Sequence, residues 1–274
     1  MVEQSTRHPH GWGIGWFHDD DAYVLKAATA AHSSMRFKDA SARLTSHTMI
    51  VHVRKATVGD LDHLNAHPFR FGRWILAHNG TIFGFAEHMQ RWMLDRTPAS
   101  LATHILGDTD SEHLFFYLLA ALERAGAAVD AREPFPAERA SAVVRDALLA
   151  LDDEAVAAGL ERPILNVLLT DGRGFIAHRA GMPLFLSTQK RRCADEAACP
   201  VANKSCLLAE RVAGQGVNHL LIASEPIGLE NRWEDLEDGC TVTLDERFTV
   251  GITPPRAGWT QPEVPARYRT AAVS

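Results

Sequence analysis

The sequence predicts an α+β domain, because strand-like segments come first, helical segments follow, and strand-like segments then return. A βαβ fold would instead alternate strands with helices along the whole chain. The chain has 274 residues, of which 46% are apolar and 23% charged, so it can bury a large core. We place the folded domain at residues 1–252 and interpret the Pro-rich residues 253–274 as a C-terminal tail.

The first strands are predicted to form a hairpin. Residues 12–17 (WGIGWF) and 22–27 (AYVLKA) flank an acidic turn, a pattern typical of paired antiparallel strands. Residues 48–53 (TMIVHV) form a nearly continuous apolar run, which indicates a strand that is buried on both faces.

A short strand at residues 73–77 (RWILA) is expected to end at a turn, because the Asn79-Gly80 dipeptide that follows tolerates positive φ. Helices are predicted next. Residues 109–122 combine a capping Thr or Asp with helically spaced apolar residues, and residues 137–158 carry a second apolar stripe.

Strands return after Pro163. Residues 164–170 and 175–178 flank an Asp-Gly turn and predict a second hairpin. The polar stretch 187–216 is interpreted as a long loop or an insertion. Three further strands are predicted at residues 219–224, 240–244 and 248–252.

The charge pattern argues against nucleic acid or an anionic membrane as the partner, because the formal net charge is -6 and the longest basic block is Lys190-Arg191-Arg192. Residues 1–10 are polar, and no apolar run approaches the roughly 18 residues that a membrane span needs. We therefore expect a cytoplasmic protein.

The cysteines do not predict a disulfide scaffold, since there are four in a chain of this length. Cys193, Cys199 and Cys206 are spaced C-x5-C-x6-C, which differs from the C-x2–4-C pairs of zinc sites. We expect ordinary loop thiols, no metal and no cofactor.

Five short segments concentrate polar residues and glycine where strands end or helices begin. Enzymes hold side chains and backbone N–H donors rigidly at such positions. The segments are residues 8–15 (HPHGWGIG), 52–57 (HVRKAT), 65–69 (NAHPF), 77–80 (AHNG) and 107–112 (GDTDSE).

The residue types in these segments indicate recognition of an amino acid. Arg54 leaves a buried strand, where its guanidinium could bind a carboxylate with two hydrogen bonds. Asp108 offers a fixed negative charge to an ammonium group. The Asn79 side-chain amide and the Gly80 backbone N–H could stabilise an oxyanion.

Each of these residues also has a purely structural interpretation. Arg54 could form a salt bridge at a strand end, Asp108 could cap a helix, and Asn79-Gly80 could be a plain hairpin turn. His67 could be a structural histidine. We interpret His8, His10 and His52 as packing or hydrogen-bonding residues.

The order and spacing of the five segments resemble the class II glutamine amidotransferases, and most of all their small stand-alone members. The later LLTDGR, IASEPI and DGCTVTLDE segments fit as well, so the resemblance covers residues 7–246. It implies a four-layer αββα sandwich of the N-terminal-nucleophile (Ntn) hydrolase type.

The resemblance also implies a reaction. An N-terminal cysteine, with its own α-amine as base, attacks the side-chain amide of glutamine or a γ-glutamyl compound, and water hydrolyses the γ-glutamyl thioester. Arg54 would bind the substrate α-carboxylate, Asp108 the α-amine, and Asn79 with Gly80 the oxyanion. Thr57 and His67 would line or support the pocket. The ammonia could pass to a synthase partner or be released.

The start of the chain departs from the family pattern, which begins Met-Cys, whereas this chain begins MVEQS. One explanation is a start codon placed too far downstream, which would leave an unstable fragment of an active enzyme without its first strand. The alternative is a glutamine-binding or regulatory pseudoenzyme that has lost the nucleophile. A third is processing that exposes Ser5 or Thr6 as a substitute.

Overall fold

The computed structural model describes residues 4–54, 62–193, 207 and 216–265. Its α-helices are α1 (Gln4–Arg7), α2 (Met35–Arg43), α3 (Gln90–Leu94), α4 (Ala99–Ala102), α5 (Asp110–Arg124) and α6 (Ala137–Ala157). Its strands are β1 (Trp12–His18), β2 (Asp21–Ala27), β3 (Met49–Val53), β4 (Phe69–Phe71), β5 (Trp74–Thr81), β6 (Ile164–Thr170), β7 (Phe175–His178), β8 (Phe185–Lys190), β9 (Leu221–Ala223), β10 (Asn231–Asp235), β11 (Thr241–Leu244) and β12 (Val250–Thr253).

The strands form three antiparallel sheets. The first has the order β2-β1-β3, the second β12-β11-β7-β6-β5-β4, and the third β10-β8-β9. In the described part of the chain, β3 and β9 are therefore edge strands of the first and third sheets. No described helix is both long and apolar enough to cross a bilayer.

Four layers stack on one another. Trp12 of β1 packs edge-on against Phe37 of α2, which covers the outer face of the first sheet. Ile50 of β3 packs against Ile75 of β5, which joins the first and second sheets face to face. Helices α5 and α6 cover the other face of the second sheet. The predicted αββα arrangement of an α+β domain is confirmed.

The alternation of large residues with glycine in β1 has a steric cause. Trp12 and Ile14 point toward α2, so Gly13 and Gly15 point toward the second sheet. A Cβ atom on Gly13 would lie 2.1 Å from the carbonyl oxygen of His67. Glycine at this position therefore allows β1 to approach the His67-Pro68 segment, which leads into β4 of the second sheet.

Gly13→Ala is expected to destabilise the fold by about 3 kcal/mol or more, because overpacking against backbone cannot be relieved by a rotamer change. Gly251→Ala in β12 is the matched control, since its added Cβ would meet no atom within 4 Å. Chemical unfolding of both variants measures the difference. Equal stabilities would contradict this account of β1.

Several sequence-based expectations hold. The β1–β2 hairpin pairs Ile14 with Leu25, and the β6–β7 hairpin pairs Leu168 with Ala177. The α5 helix begins where predicted, because the Thr109 side chain accepts a hydrogen bond from the Glu112 backbone N–H at 3.3 Å.

Two strand expectations were wrong. The turn predicted at Asn79-Gly80 is absent, because β5 continues through both residues and pairs Asn79 with Asn166 of β6. Strand β3 is not buried on both faces: Ile50 is its only fully buried residue, since β3 lies at a sheet edge beside a cavity. In β5, pairing with β6 thus outweighed the local turn propensity of Asn-Gly.

Other elements were not predicted, namely α1, α2, α3, α4, β4, β8 and β10. Strand β8 occupies the beginning of the stretch that was interpreted as a loop at 187–216. The residues that follow β12 also contact the domain. The Trp259 indole N–H donates to Asp238 Oδ1 at 2.6 Å, and Val264 packs against Phe83, Ile164 and Met182. The boundary at residue 252 stays a prediction.

Candidate active site

A cavity of about 240 Å³ lies among the three sheets, at the start of α5. Strands β3, β5, β6 and β9 supply its walls, and α1 lies at its side. The lining residues used below are His52, Arg54, His67, His78, Asn79, Gly80, Asp110 and Ser111.

Arg54 enters this cavity directly after β3 and is 4% exposed. Its backbone N–H donates to the Gly11 carbonyl at 2.8 Å, and its own carbonyl accepts from the His10 N–H at 3.1 Å. These bonds hold the backbone of Arg54 against the segment before β1. Burial lowers the pKa of Arg54, and the negative charges of Asp108 and Asp110 oppose that shift. An arginine still carries its charge at neutral pH.

Asn79 and Gly80 lie in β5 on the wall opposite β3. The side chain of Asn79 is exposed, and Gly80 is half-buried. A Cβ on Gly80 would lie 1.9 Å from the carbonyl oxygen of Ile164. The fold requires glycine at position 80, because any side chain would clash with β6. The lack of a side chain also leaves the backbone of Gly80 accessible to a ligand.

The sequence singled out Asp108 at the start of α5, but the carboxylate that lines the cavity is that of Asp110. Asp110 is 3% exposed, lines the cavity, and accepts a hydrogen bond from the Ile82 N–H at 2.9 Å. Asp108 is exposed, is absent from the cavity wall, and accepts from Asn65 Nδ2 at 2.7 Å. Asp108 remains near enough to affect Arg54 electrostatically.

His67 lines the cavity and is 6% exposed. Its ring lies 4.5 Å from that of His52, and neither of its ring nitrogens has a hydrogen-bond partner within the described residues. Burial lowers the pKa of His52 to about 3 and the pKa of His67 well below its ordinary value. Both rings are therefore neutral at pH 7, which fits packing better than proton transfer.

The remaining sequence candidates are Thr57 and the four cysteines. Thr57, Cys199 and Cys206 lie outside the described residues. Cys193 and Cys240 are described, and neither lines the cavity. Burial raises the pKa of Cys240 to about 11, so its thiol stays protonated at neutral pH.

Among the described ranges, no group of three His, Cys, Asp or Glu residues is placed to hold a metal ion. The cavity also contains residues that the sequence reasoning missed, namely Asp110, His78, Ser111 and Asn166. The repeated acid in the GDTDSE segment was the only sequence signal for Asp110. Nothing local could have linked His78 to Ser111, which is 33 residues away.

A family model for class II glutamine amidotransferases matches residues 2–263. The fold is similar to that of a glutamine aminotransferase class-II domain protein from Silicibacter pomeroyi, with a TM-score of 0.61 and 16% identity. That alignment covers 90% of this chain and 96% of the other. At this identity the likeness shows the fold alone.

Curated relatives are similar over shorter segments. A probable glutamine amidotransferase of Saccharomyces cerevisiae is 26% identical over 62% of this chain and 50% of its own length. A γ-glutamyl-hercynylcysteine sulfoxide hydrolase of Mycobacterium tuberculosis is 36% identical over 26% of this chain and 31% of its own length. The chain spans between about a third and three fifths of several curated relatives that it matches.

Proposed function

Because this chain belongs to the class II glutamine amidotransferases, we propose that it cleaves the side-chain amide of glutamine or of a γ-glutamyl compound. The observation that carries the proposal is the convergence of Arg54, Asp110 and the Asn79-Gly80 segment on one cavity. A cation, an anion and an amide donor together match the carboxylate, the ammonium and the amide oxygen of glutamine.

Each group then has a defined role. Arg54 binds the α-carboxylate with its guanidinium. Asp110 binds the α-amine, in preference to the Asp108 of the sequence-based assignment, because Asp110 lines the cavity. The Asn79 amide and the Gly80 N–H stabilise the oxyanion, and His67 supports the wall between them. Thr57 stays a predicted pocket residue outside the described ranges.

The reaction requires a thiolate beside these groups. Residues of β3 and β9 both line the cavity. We infer that the catalytic cysteine acts in this cavity.

In the reaction, the thiolate forms a bond to the amide carbon, and the carbonyl oxygen gains a negative charge that Asn79 and Gly80 stabilise. The intermediate collapses as the C–N bond breaks, and the leaving nitrogen takes the proton that the α-amine of the cysteine removed from its thiol. Water then hydrolyses the thioester, which gives the γ-carboxylate and restores the thiol.

A glutamine-binding or regulatory protein is the second candidate. Two observations favour it: the cavity has groups for binding an amino acid, and neither described cysteine lines the cavity.

If the protein is an enzyme, we propose that its substrate is a γ-glutamyl compound. We also propose that its products are released to solvent and that ammonia is not transferred to a synthase partner. The hydrolase name of the mycobacterial relative supports this choice. The cytoplasmic location stays a prediction.

The deciding experiment determines the intact mass and N-terminal sequence of the endogenous protein and assays it for release of glutamate and ammonia. An N-terminal cysteine together with release of both products from glutamine or a γ-glutamyl amide is the expected result. A protein that begins at Met1 or Val2, binds glutamine in calorimetry and releases neither product would establish the binding protein instead.

A further inference from the structure

Asn65 belongs to the NAHPF segment and is 3% exposed, yet it does not line the cavity. Its side chain shares two hydrogen bonds with Asp108. The Asn65 Nδ2–H donates to Asp108 Oδ1 at 2.7 Å, and the Asp108 backbone N–H donates to Asn65 Oδ1 at 3.3 Å. An ionised carboxylate only accepts and a backbone N–H only donates, so both contacts require the same orientation of the Asn65 amide.

The backbone on both sides of Asn65 is held by Lys26 of β2. The Lys26 Nζ donates to the Leu64 carbonyl oxygen at 3.3 Å and to the Ala66 carbonyl oxygen at 2.8 Å. Burial lowers the pKa of Lys26 to about 8, and the negative charge of Glu112 opposes that shift. Lys26 is therefore mostly charged at pH 7, and it anchors the Asn65 segment to the first sheet.

The turn that leads into α5 packs on the Asn65 amide. A Cβ added to Gly107, the residue before Asp108, would lie 2.3 Å from Asn65 Oδ1. On the helix side, the Gly107 N–H donates to Glu112 Oε2 at 2.6 Å, and the Thr109 side chain caps α5. This turn is therefore fixed by Asn65 on one side and by the first turn of α5 on the other.

Asp110 is the first residue of α5, two positions after the residue that Asn65 holds. Its Oδ1 accepts from the Ser111 hydroxyl at 3.1 Å, and its Oδ2 accepts from the Ile82 N–H at 2.9 Å. Each oxygen of an ionised carboxylate can accept about two hydrogen bonds, so both oxygens can also accept from a ligand ammonium. The direction in which they face depends on where the first turn of α5 begins, because that turn carries Asp110.

We propose that Asn65 is a positioning residue for the α-amine of the substrate: by holding Asp108 it fixes the start of α5 and directs the Asp110 carboxylate into the cavity. The inference rests on the proposed function, in which Asp110 binds the α-amine. Asp108, which the sequence singled out for the ammonium, is instead the residue to which Asn65 binds. The Ile82 N–H still holds Asp110 when Asn65 is lost, so we expect Asp110 to be displaced slightly.

The test compares two ligands by calorimetry, L-glutamine and glutaramate, which is glutamine without its α-amine. Any cysteine that proves to be the nucleophile is first replaced by alanine, so that neither ligand is consumed. Asn65→Ala is expected to weaken L-glutamine binding about tenfold and glutaramate binding by less than about twofold, because only glutamine uses Asp110. Asp110→Asn is the reference and should weaken L-glutamine binding by about 30-fold, with glutaramate again little affected.

Asn65→Leu is a second variant, which keeps the size of the side chain and removes both hydrogen bonds. It should discriminate between the two ligands as Asn65→Ala does, so that a cavity left by alanine cannot be the cause. Ser141→Ala is the control for loss of a buried hydrogen bond elsewhere, since Ser141 contacts Thr243 between α6 and β11, outside the cavity. It should bind both ligands as the unchanged chain does.

Two results would overturn this inference alone. Equal weakening of both ligands by Asn65→Ala and Asn65→Leu would mean that Asn65 serves the fold as a whole. Binding of L-glutamine that is unchanged in both variants would mean that Asp110 is placed without Asn65. If Asp110→Asn weakens the two ligands equally, or if the unchanged chain binds neither of them, the proposed function fails instead.

Discussion

Replacing Arg54 with methionine is expected to weaken binding of L-glutamine by about 30-fold or more. Removal of one partner of a buried, hydrogen-bonded charge pair costs about 2–5 kcal/mol, and each 1.4 kcal/mol is about a tenfold change in Kd. Methionine keeps most of the length and apolar contact of the side chain, so the substitution removes chiefly the guanidinium. Calorimetric titration with L-glutamine measures the effect.

A structural salt bridge at the end of β3 is the competing explanation for Arg54, and a ligand series separates the two. The α-amide of glutamine lacks the α-carboxylate. If the Arg54 guanidinium binds the α-carboxylate of glutamine, the unchanged chain and Arg54→Met should bind the α-amide equally. Arg70→Met is the matched control, since Arg70 is exposed on β4 and lies outside the cavity. Equal weakening of both ligands by Arg54→Met would contradict the assignment.

The sequence predicted the elements whose signals are local. The β1–β2 hairpin, the β6–β7 hairpin and the Thr109 cap of α5 each depend on residues that are near one another in the chain. The wrong turn at Asn79-Gly80 shows the limit of such signals. Asn-Gly has a local propensity for turns, but pairing with β6, more than 80 residues away, holds these two residues in an extended conformation.

Some residues of the candidate site could likewise be identified from the sequence, and others could not. Arg54 and Gly80 could be picked out because each follows an apolar run, and the structure brings both to the cavity. The choice between Asp108 and Asp110 could not be made from the sequence, since the two acids flank the same helix cap. The Asp110 carboxylate accepts a hydrogen bond from the Ile82 backbone N–H, 28 residues before it in the chain, and no local pattern reveals such a contact.

The stability of the fold is expected to fall steeply as the pH drops below about 6.5. Burial lowers the pKa of His178 to about 4 and that of His52 to about 3, and the pKa values of His67 and His78 are lowered as well. The unfolded chain binds protons at these histidines below their ordinary pKa of about 6.5, while the folded chain does not. Protons therefore favour unfolding, and stability rises with pH across this window.

Each such histidine contributes up to about 1.4 kcal/mol per pH unit to this slope. His178 offers the cleanest test, because it is 1% exposed, lies away from the cavity, and bonds to Thr241 Oγ1 at 2.9 Å. His178→Gln keeps a partner for Thr241 but removes the titrating group. The slope of the free energy of unfolding against pH should therefore fall by about 1.4 kcal/mol per pH unit between about pH 4 and 6.

Urea unfolding at several pH values gives that slope for each variant. The unchanged chain, measured at the same pH values, gives the reference slope. The absolute stability of His178→Gln is not the readout, because loss of ring packing lowers it equally at every pH. An unchanged slope in His178→Gln would mean that His178 is already protonated in the folded protein or remains neutral in the unfolded one, and the account of its burial would fail.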